Sequence, residues 1–153
     1  MIRALTDNEI HELLEKECYG HLACIEKPQR PYVVPITYVY YENALYSFSF
    51  QGTKIDIMRK NPNVCFQVER LRDTAEWRSA MIWGTFEELL GEERDAAMSR
   101  ILERLWWESN RDHPIFLPFR NSAETLEKSK HEKNVVLYRI LMEEKTGRLE
   151  QYE

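Results

Sequence analysis

The chain has 153 residues, which fits one domain spanning residues 1–153, and 43% of them are hydrophobic. Its 21 basic and 26 acidic residues give a formal net charge of −5, which argues against a protein that wraps nucleic acid. No apolar run is long enough to span a bilayer, and the first nine residues lack the apolar core of a secretion signal, so we expect a cytoplasmic location.

The N-terminal segment is predicted to form one amphipathic helix. Thr6 and Glu9 have the spacing of a capping box. Apolar residues from Ile10 to Cys18 then follow helical spacing on one face, and Gly20 is well placed to end the helix.

Three short strands are predicted next, at residues 21–26, 32–41 and 44–50. The second and third are joined by a hairpin turn at residues 42–43. Pro35 cannot donate a ladder hydrogen bond, so it marks an edge or a bulge of its strand.

The rest of the chain is predicted as a longer series of elements. In order, these are a short helix from Thr53 to the stop at Asn61-Pro62, strands at 64–71 and within 78–90, a helix at 92–110, an irregular segment at 113–120, a charged surface segment or partial helix at 122–133, a strand at 134–143 and a frayed tail after Gly147. Six hairpin-connected strands therefore outnumber the helices. This pattern predicts an α+β domain built on a small antiparallel barrel.

Cysteine and histidine usage predicts neither a disulfide framework nor a metal site. Cys18, Cys24 and Cys65 are odd in number and widely spaced. No Cys-x-x-Cys pair occurs, and the four histidines form no ligand-like pair at helical spacing. The 12% aromatic content suits strand faces, a large interface or a planar ligand.

The junction between the third strand and the short helix is the most informative stretch. Helix-start amides and the macrodipole favour an anion there. Lys54 would place a full positive charge in the first helical turn, where a cation is otherwise disfavoured. Ser49 and Thr53 offer hydroxyls, Gly52 allows close backbone approach, and Arg59 could add a second charge. An ordinary capped helix with a solvated lysine fits the same residues, and the spacing is not that of a Walker loop.

Several short motifs occur in one order along the chain. They are GHLA at 20–23, PYVVPITY at 31–38, LYSFS at 45–49, GTKI at 52–55, NPNVC at 61–65, WRSA at 77–80 and a glycine at 84. This ordered set resembles the FMN-binding split-barrel proteins of the pyridoxamine 5′-phosphate oxidase-like type. Within them it is most similar to the small flavin-nucleotide-binding and nitroimidazole-resistance-like proteins.

The resemblance implies a six-stranded antiparallel split β-barrel with Greek-key connections and flanking helices. It also implies a homodimer with FMN in a groove between the subunits. Ser49, Thr53 and Lys54 would hold the FMN phosphate. The other residues implied at the groove are Pro35, Ile36, Thr37 and Tyr38 along the isoalloxazine ring, with Ser47, Trp77, Ser79 and Trp106 around it. Trp106 fits a core or dimer contact equally well.

The sequence also departs from this family in ways that bear on chemistry. Some nitroimidazole-resistance proteins carry a histidine on the strand before the glycine, where this chain has Ser47-Phe48-Ser49. No cluster of arginines and histidine for a substrate phosphate stands near the C-terminus, so we do not expect oxidation of pyridoxamine phosphate.

The expected function is an FMN-dependent oxidoreductase acting on a small molecule, with NAD(P)H as a candidate electron donor and no catalytic residue identified. Three alternatives stay open: a non-catalytic module that holds flavin or haem, a reductase that uses the deazaflavin F420, and a structural barrel with an empty pocket.

Overall fold

The computed structural model describes residues 1–110 and 119–152, so most of the predicted irregular segment at 113–120 lies outside the described residues. The described part contains eight strands and four helices. The strands are β1 Ile2–Ala4, β2 Tyr19–Glu26, β3 Arg30–Thr37, β4 Val39–Tyr41, β5 Ala44–Phe50, β6 Asn63–Asp73, β7 Glu76–Glu88 and β8 Val135–Glu150; the helices are α1 Asp7–Lys16, α2 Thr53–Lys60, α3 Gly91–Ser109 and α4 Phe119–Ser129.

All the strands belong to one antiparallel sheet in the order β3-β2-β6-β7-β8-β5-β4, with β1 added beside β8. The two end strands of this order, β3 and β4, are separated in the chain by Tyr38 alone. The sheet must therefore curl back on itself. The seam is the place where the two ends of the curled sheet approach each other. Across it, the Ser47 hydroxyl on β5 donates to the Thr37 carbonyl on β3 at 2.6 Å. The prediction of an α+β barrel is confirmed.

Two hydrophobic cores lie on the two faces of the curled sheet. Leu45 on β5 and Ile140 on β8 belong to the core inside the barrel, together with apolar residues of α1 and α2. Tyr46 and Leu137, on the same two strands, belong to the core under α3 and α4. Because successive strand residues point to opposite faces, Ser47 and Ser49 share the inner face with Leu45.

The strand count is eight rather than the predicted six. The three-residue strand β1 was missed, and the predicted strand at 32–41 is two strands divided at Tyr38. At this division the Tyr38 amide donates to the Cys18 carbonyl at 2.9 Å, and its hydroxyl donates to the Leu14 carbonyl at 2.8 Å. These bonds to residues at and beyond the end of α1 take Tyr38 out of the strand ladder.

The predicted frayed tail is wrong. β8 continues to Glu150 and pairs with β7 along its length, from Tyr138 opposite Glu88 to Glu150 opposite Trp77. Charged Arg148 and Glu150 alternate with buried Gly147 and Leu149, as expected for a strand with one solvated face.

The capping box of α1 is confirmed, but the helix ends at Lys16 rather than at Gly20. Thr6 Oγ1 accepts from the Glu9 amide at 3.3 Å, and Glu9 Oε2 accepts from the Thr6 amide at 2.8 Å. Gly20 lies inside β2, where a Cβ would stand 2.3 Å from Cζ of Phe66. Packing inside the barrel therefore requires a residue without a side chain at position 20.

The charged segment at 122–133 is mostly helical and covers part of the outer core. In α4, Ala123 and Leu126 are fully buried while Glu127 and Lys128 are exposed. No helix among the described residues is long and apolar enough to cross a membrane.

Candidate functional site

The corner between β5 and α2 begins a helix that no side chain caps. Gly52 is the N-cap residue, and Thr53 is the first helical residue. The Asp56 amide donates to the Gly52 carbonyl at 3.1 Å, as in any first turn. The amides before it have no side-chain acceptor among the residues that the structure describes, which leaves a partial positive charge at the helix start.

Lys54 adds a formal charge to this uncapped turn. Its side chain is half-buried, and burial lowers the pKa of its ammonium group, partly offset by the nearby Cys24 thiol. Among the described residues it makes no ion pair with a carboxylate. Two effects make this lysine unfavourable by itself: its charge is partly desolvated, and it lies at the positive end of a helix. A bound anion would offset both effects.

Arg59 does not supply a second free charge at the corner. Its guanidinium binds Glu88 at the end of β7 through Nε–Oε2 and Nη2–Oε1 contacts of 3.0 and 2.8 Å. Its Nη1 donates to Gln51 Oε1 at 2.8 Å. Arg59 is thus neutralised, and it ties the loop that precedes α2 to the barrel wall.

The two serines of β5 lie inside the barrel near this corner, but their protons are already donated. Ser47 donates to Thr37 across the seam, and Ser49 Oγ donates to the Phe50 carbonyl at 2.8 Å. Both residues are buried. Ser47 therefore holds β3 and β5 together, and Ser49 would have to rotate its hydroxyl to donate to a ligand.

The structure adds Tyr138, which sequence reasoning missed. It stands opposite Ser47 on β8 and is fully buried, yet its hydroxyl has no hydrogen-bond partner among the described residues. Burial raises the pKa of this hydroxyl to about 12, although the adjacent Ser47 lowers it in part. Tyr138 alternates with Val136 and Ile140 in an otherwise apolar row, so the sequence marks only a core strand there.

The segment Pro35 to Tyr38 presents only alternate residues to the surface. Pro35 is exposed and Thr37 is half-buried, whereas Ile36 and Tyr38 are buried in the inner core. Because the Tyr38 amide and hydroxyl already bind the protein, the accessible groups of this segment are those of Pro35 and Thr37.

Trp77 and Ser79 lie in another part of the same chain. Trp77 Nε1 donates to Glu150 Oε2 at 2.9 Å, and Ser79 Oγ accepts from Gln67 Nε2 at 2.9 Å. The level of Lys54 on β7 can be found through its neighbour Cys24. Cys24 pairs with Val64 on β6, and Val64 pairs with Gly84 on β7. Gly84 is seven residues from Trp77, which corresponds to roughly 23 Å along a strand.

Trp106 on α3 is half-buried and packs against the outer core. Within one chain, Thr37 and Ser47 meet through their hydrogen bond, Ser49 lies near the end of β5, and Thr53 and Lys54 begin the helix that follows it. Trp77 and Ser79 on β7 and Trp106 on α3 lie in other elements. The described residues contain no cluster of three His, Cys, Asp or Glu side chains that could hold a metal ion.

Residues 6–149 match the protein family described as pyridoxamine 5′-phosphate oxidase. An uncharacterised protein of Rhizobium meliloti (strain 1021) is 33% identical over 154 residues, covering 96% of this chain and 94% of the relative. A crystal structure of a FAD-binding protein from Mesorhizobium loti is 31% identical, with a TM-score of 0.74 and 99% coverage of both chains.

A more distant structure shares the fold. It is the protein provisionally named as a 5-nitroimidazole antibiotic resistance protein of Bacteroides thetaiotaomicron, with 19% identity and a TM-score of 0.69. The alignment covers 97% of this chain and 87% of that one.

Proposed function

The chain belongs to the pyridoxamine 5′-phosphate oxidase family, and we propose on that premise that it binds a flavin nucleotide whose phosphate lies at the β5–α2 corner. The observation that carries this proposal is Lys54, half-buried beside an uncapped helix start and without a carboxylate partner among the described residues. A phosphate would accept hydrogen bonds from the helix-start amides and from the Lys54 ammonium group at the same time.

The proposed flavin is FMN, because one lysine and one helix start match a single terminal phosphate. Gly52 supports close approach of that phosphate. A Cβ at Gly52 would meet nothing nearer than the Phe50 carbonyl at 3.9 Å, and its φ of 176° is open to any residue. The fold itself does not require glycine there, whereas a ligand lying against the backbone would. The relative from Mesorhizobium loti is named as FAD-binding, so FAD is the other outcome of the test below.

We also propose that two copies of the chain form the flavin groove. The separation of Trp77 and Ser79 from the corner within one chain supports a contribution from each copy. An outward row of apolar residues crosses four adjacent strands: Val33, Ala23, Cys65 and Trp83. Val33 is 58% and Trp83 is 37% exposed, which makes this row a candidate contact between the copies.

The proposed activity is oxidation or reduction of a small molecule. Bound flavin would supply the electron or hydride transfer, while the protein binds and orients it. Arg59 would hold the corner in place through Glu88 and Gln51, and the Ser47–Thr37 bond would fix the β3 segment that borders the ring.

The first test is the absorbance spectrum of the purified protein, followed by chromatography of the cofactor released on denaturation. We expect a flavin spectrum and release of FMN. Release of FAD would extend the site beyond one phosphate. A haem or F420 spectrum, or none after reconstitution, would contradict the proposal.

A second test separates an enzyme from a non-catalytic flavin holder. Flavin-loaded protein is mixed with NADH or NADPH and a nitroaromatic acceptor, and oxidation of the nucleotide is followed. Turnover above that of free flavin supports the enzyme. Tight flavin binding without turnover on any donor would assign the chain to storage or sensing.

A further inference from the structure

A cleft lies at the barrel end, where α1 approaches the β6–β7 hairpin. It has a volume of about 360 Å³, within the range of small-molecule sites. Its lining combines side chains of α1, the hairpin and the end of β8. The charged residues among them are Glu12, Lys16, Arg70, Arg72, Glu76, Arg78 and Glu150.

Two arginines stand directly opposite each other in this cleft. Arg70 on β6 pairs in register with Arg78 on β7. Arg70 follows Val68 by two residues and Arg78 precedes Ala80 by two, so both arginines share the inner face with these core residues, at the mouth of the barrel. Like charges placed directly across a strand pair repel each other, so each arginine of the pair is stabilised by an anion beside it.

Most of the charges around the arginines already have partners. Arg70 Nε donates to Glu17 Oε1 at 2.6 Å, and Arg72 Nη1 lies 3.1 Å from Glu76 Oε2. Glu12 binds Lys16, and Glu150 accepts from the Trp77 indole.

Arg78 is the cation left over. Its side chain is half-buried, and among the described residues it donates no hydrogen bond. Its long-range electrostatic partner is Glu12, whose carboxylate is already bound to Lys16. A planar guanidinium with free donors is suited to an oxyanion that accepts two parallel hydrogen bonds.

We propose that this cleft binds a small organic ligand through an oxyanion, a phosphomonoester or a carboxylate, held by Arg78 beside Arg70. The cleft is large enough for an organic molecule that carries such an oxyanion. Within one chain this cleft is separate from the proposed flavin corner, since Arg78 lies roughly 20 Å along β7 from the level of Cys24 and Lys54. Arg78 also alternates along β7 with Trp77 and Ser79, so its side chain leaves the opposite face of the sheet from these two groove candidates.

The test is calorimetric titration of the purified full chain at low salt. Adenosine 5′-monophosphate serves as the phosphomonoester and benzoate as the carboxylate, with adenosine and benzamide as their uncharged counterparts. We expect at least one anion to bind tenfold or more tightly than its uncharged counterpart. Which anion does so identifies the source of the oxyanion.

Variants assign the binding to the cleft. Arg78→Gln should weaken the anion at least tenfold, while Arg78→Lys should retain part of the affinity. Arg30→Gln is the matched control, since it removes an equal charge from an exposed hairpin far from the cleft. Equal affinity of Arg78→Gln and wild type, or equal affinity for charged and uncharged ligands, would overturn the proposal.

Two readouts keep this result independent of the flavin. Arg78→Gln should retain flavin content and thermal midpoint, whereas Lys54→Ala should leave the anion titration unchanged. If Lys54→Ala also abolished the anion titration, the anion would be bound at the flavin corner and the cleft proposal would fail.

Discussion

Tyr138 shows what a single hydroxyl costs inside the barrel. Its phenol is fully buried and lacks a partner among the described residues. An unsatisfied buried hydroxyl costs about 1–3 kcal/mol. Tyr138→Phe should therefore keep or raise the free energy of unfolding in urea, by up to about 1 kcal/mol. If Tyr138→Phe instead lowered the free energy of unfolding by more than about 1 kcal/mol, the hydroxyl would have a bound partner, such as an internal water.

Gly20 and Gly52 give a matched pair of substitutions with opposite expectations. A Cβ at Gly20 would overlap the Phe66 ring and the Gln67 carbonyl, whereas one at Gly52 has room. Gly20→Ala should cost about 1–3 kcal/mol in chemical unfolding, as overpacking does. Gly52→Ala should leave stability within about 0.5 kcal/mol and weaken flavin binding. Full flavin affinity in Gly52→Ala would contradict the close approach of a phosphate to that backbone.

At the scale of whole elements, the start of α1 carries a pH dependence. The Arg3 guanidinium, aided by the Thr6 amide, holds the pKa of Glu9 at about 2, below the value near 4.3 of an unfolded chain. A lowered carboxyl pKa stabilises the fold above the unfolded value, and that stability is lost as pH falls toward 2.

The corresponding prediction concerns the thermal midpoint between pH 5 and pH 2. Glu9→Gln should lower the midpoint near neutral pH and flatten its fall on acidification. Glu103→Gln, at an exposed position of α3, is the control for charge removal and should keep the wild-type slope. Parallel acid profiles for wild type and Glu9→Gln would refute this account of the α1 cap.

Local elements were largely predictable because their signals are local. The Thr6–Glu9 capping box, the Glu42-Asn43 turn and the stop at Asn61-Pro62 all follow from neighbouring residues, and the turn residues have φ values of 50° and 58°. Contacts between distant residues decided the errors. Tyr38 leaves its strand to bind α1, Gly20 faces the Phe66 ring, and the end of β8 is ordered by β7.

The candidate site shows the same division. Lys54 and its helix start could be named from sequence, because an unusual charge position is visible in a few residues. Three other features could not be named from sequence, because each depends on strand register between distant segments. They are the partner of Arg59, the buried hydroxyl of Tyr138 and the opposed Arg70–Arg78 pair.

At the scale of the whole molecule, the proposed dimer can be tested through its apolar row. Trp83→Glu places a charge at one end of that row and should shift the molar mass in light scattering from two chains to one. Leu90→Glu is the control, since Leu90 is 75% exposed and lies outside the row. A monomeric wild type, or a Trp83→Glu variant that stays dimeric, would contradict this surface as the interface.

The central claim is that the β5–α2 corner grips a phosphate, and the most direct measurement compares FMN with riboflavin, which lacks that group. Apoprotein of wild type, Lys54→Ala and the control Lys60→Ala is titrated with both by fluorescence quenching. We predict that wild type and Lys60→Ala prefer FMN over riboflavin by at least tenfold, and that Lys54→Ala loses most of this preference while its riboflavin affinity is unchanged. An undiminished preference for FMN in Lys54→Ala would contradict the claim.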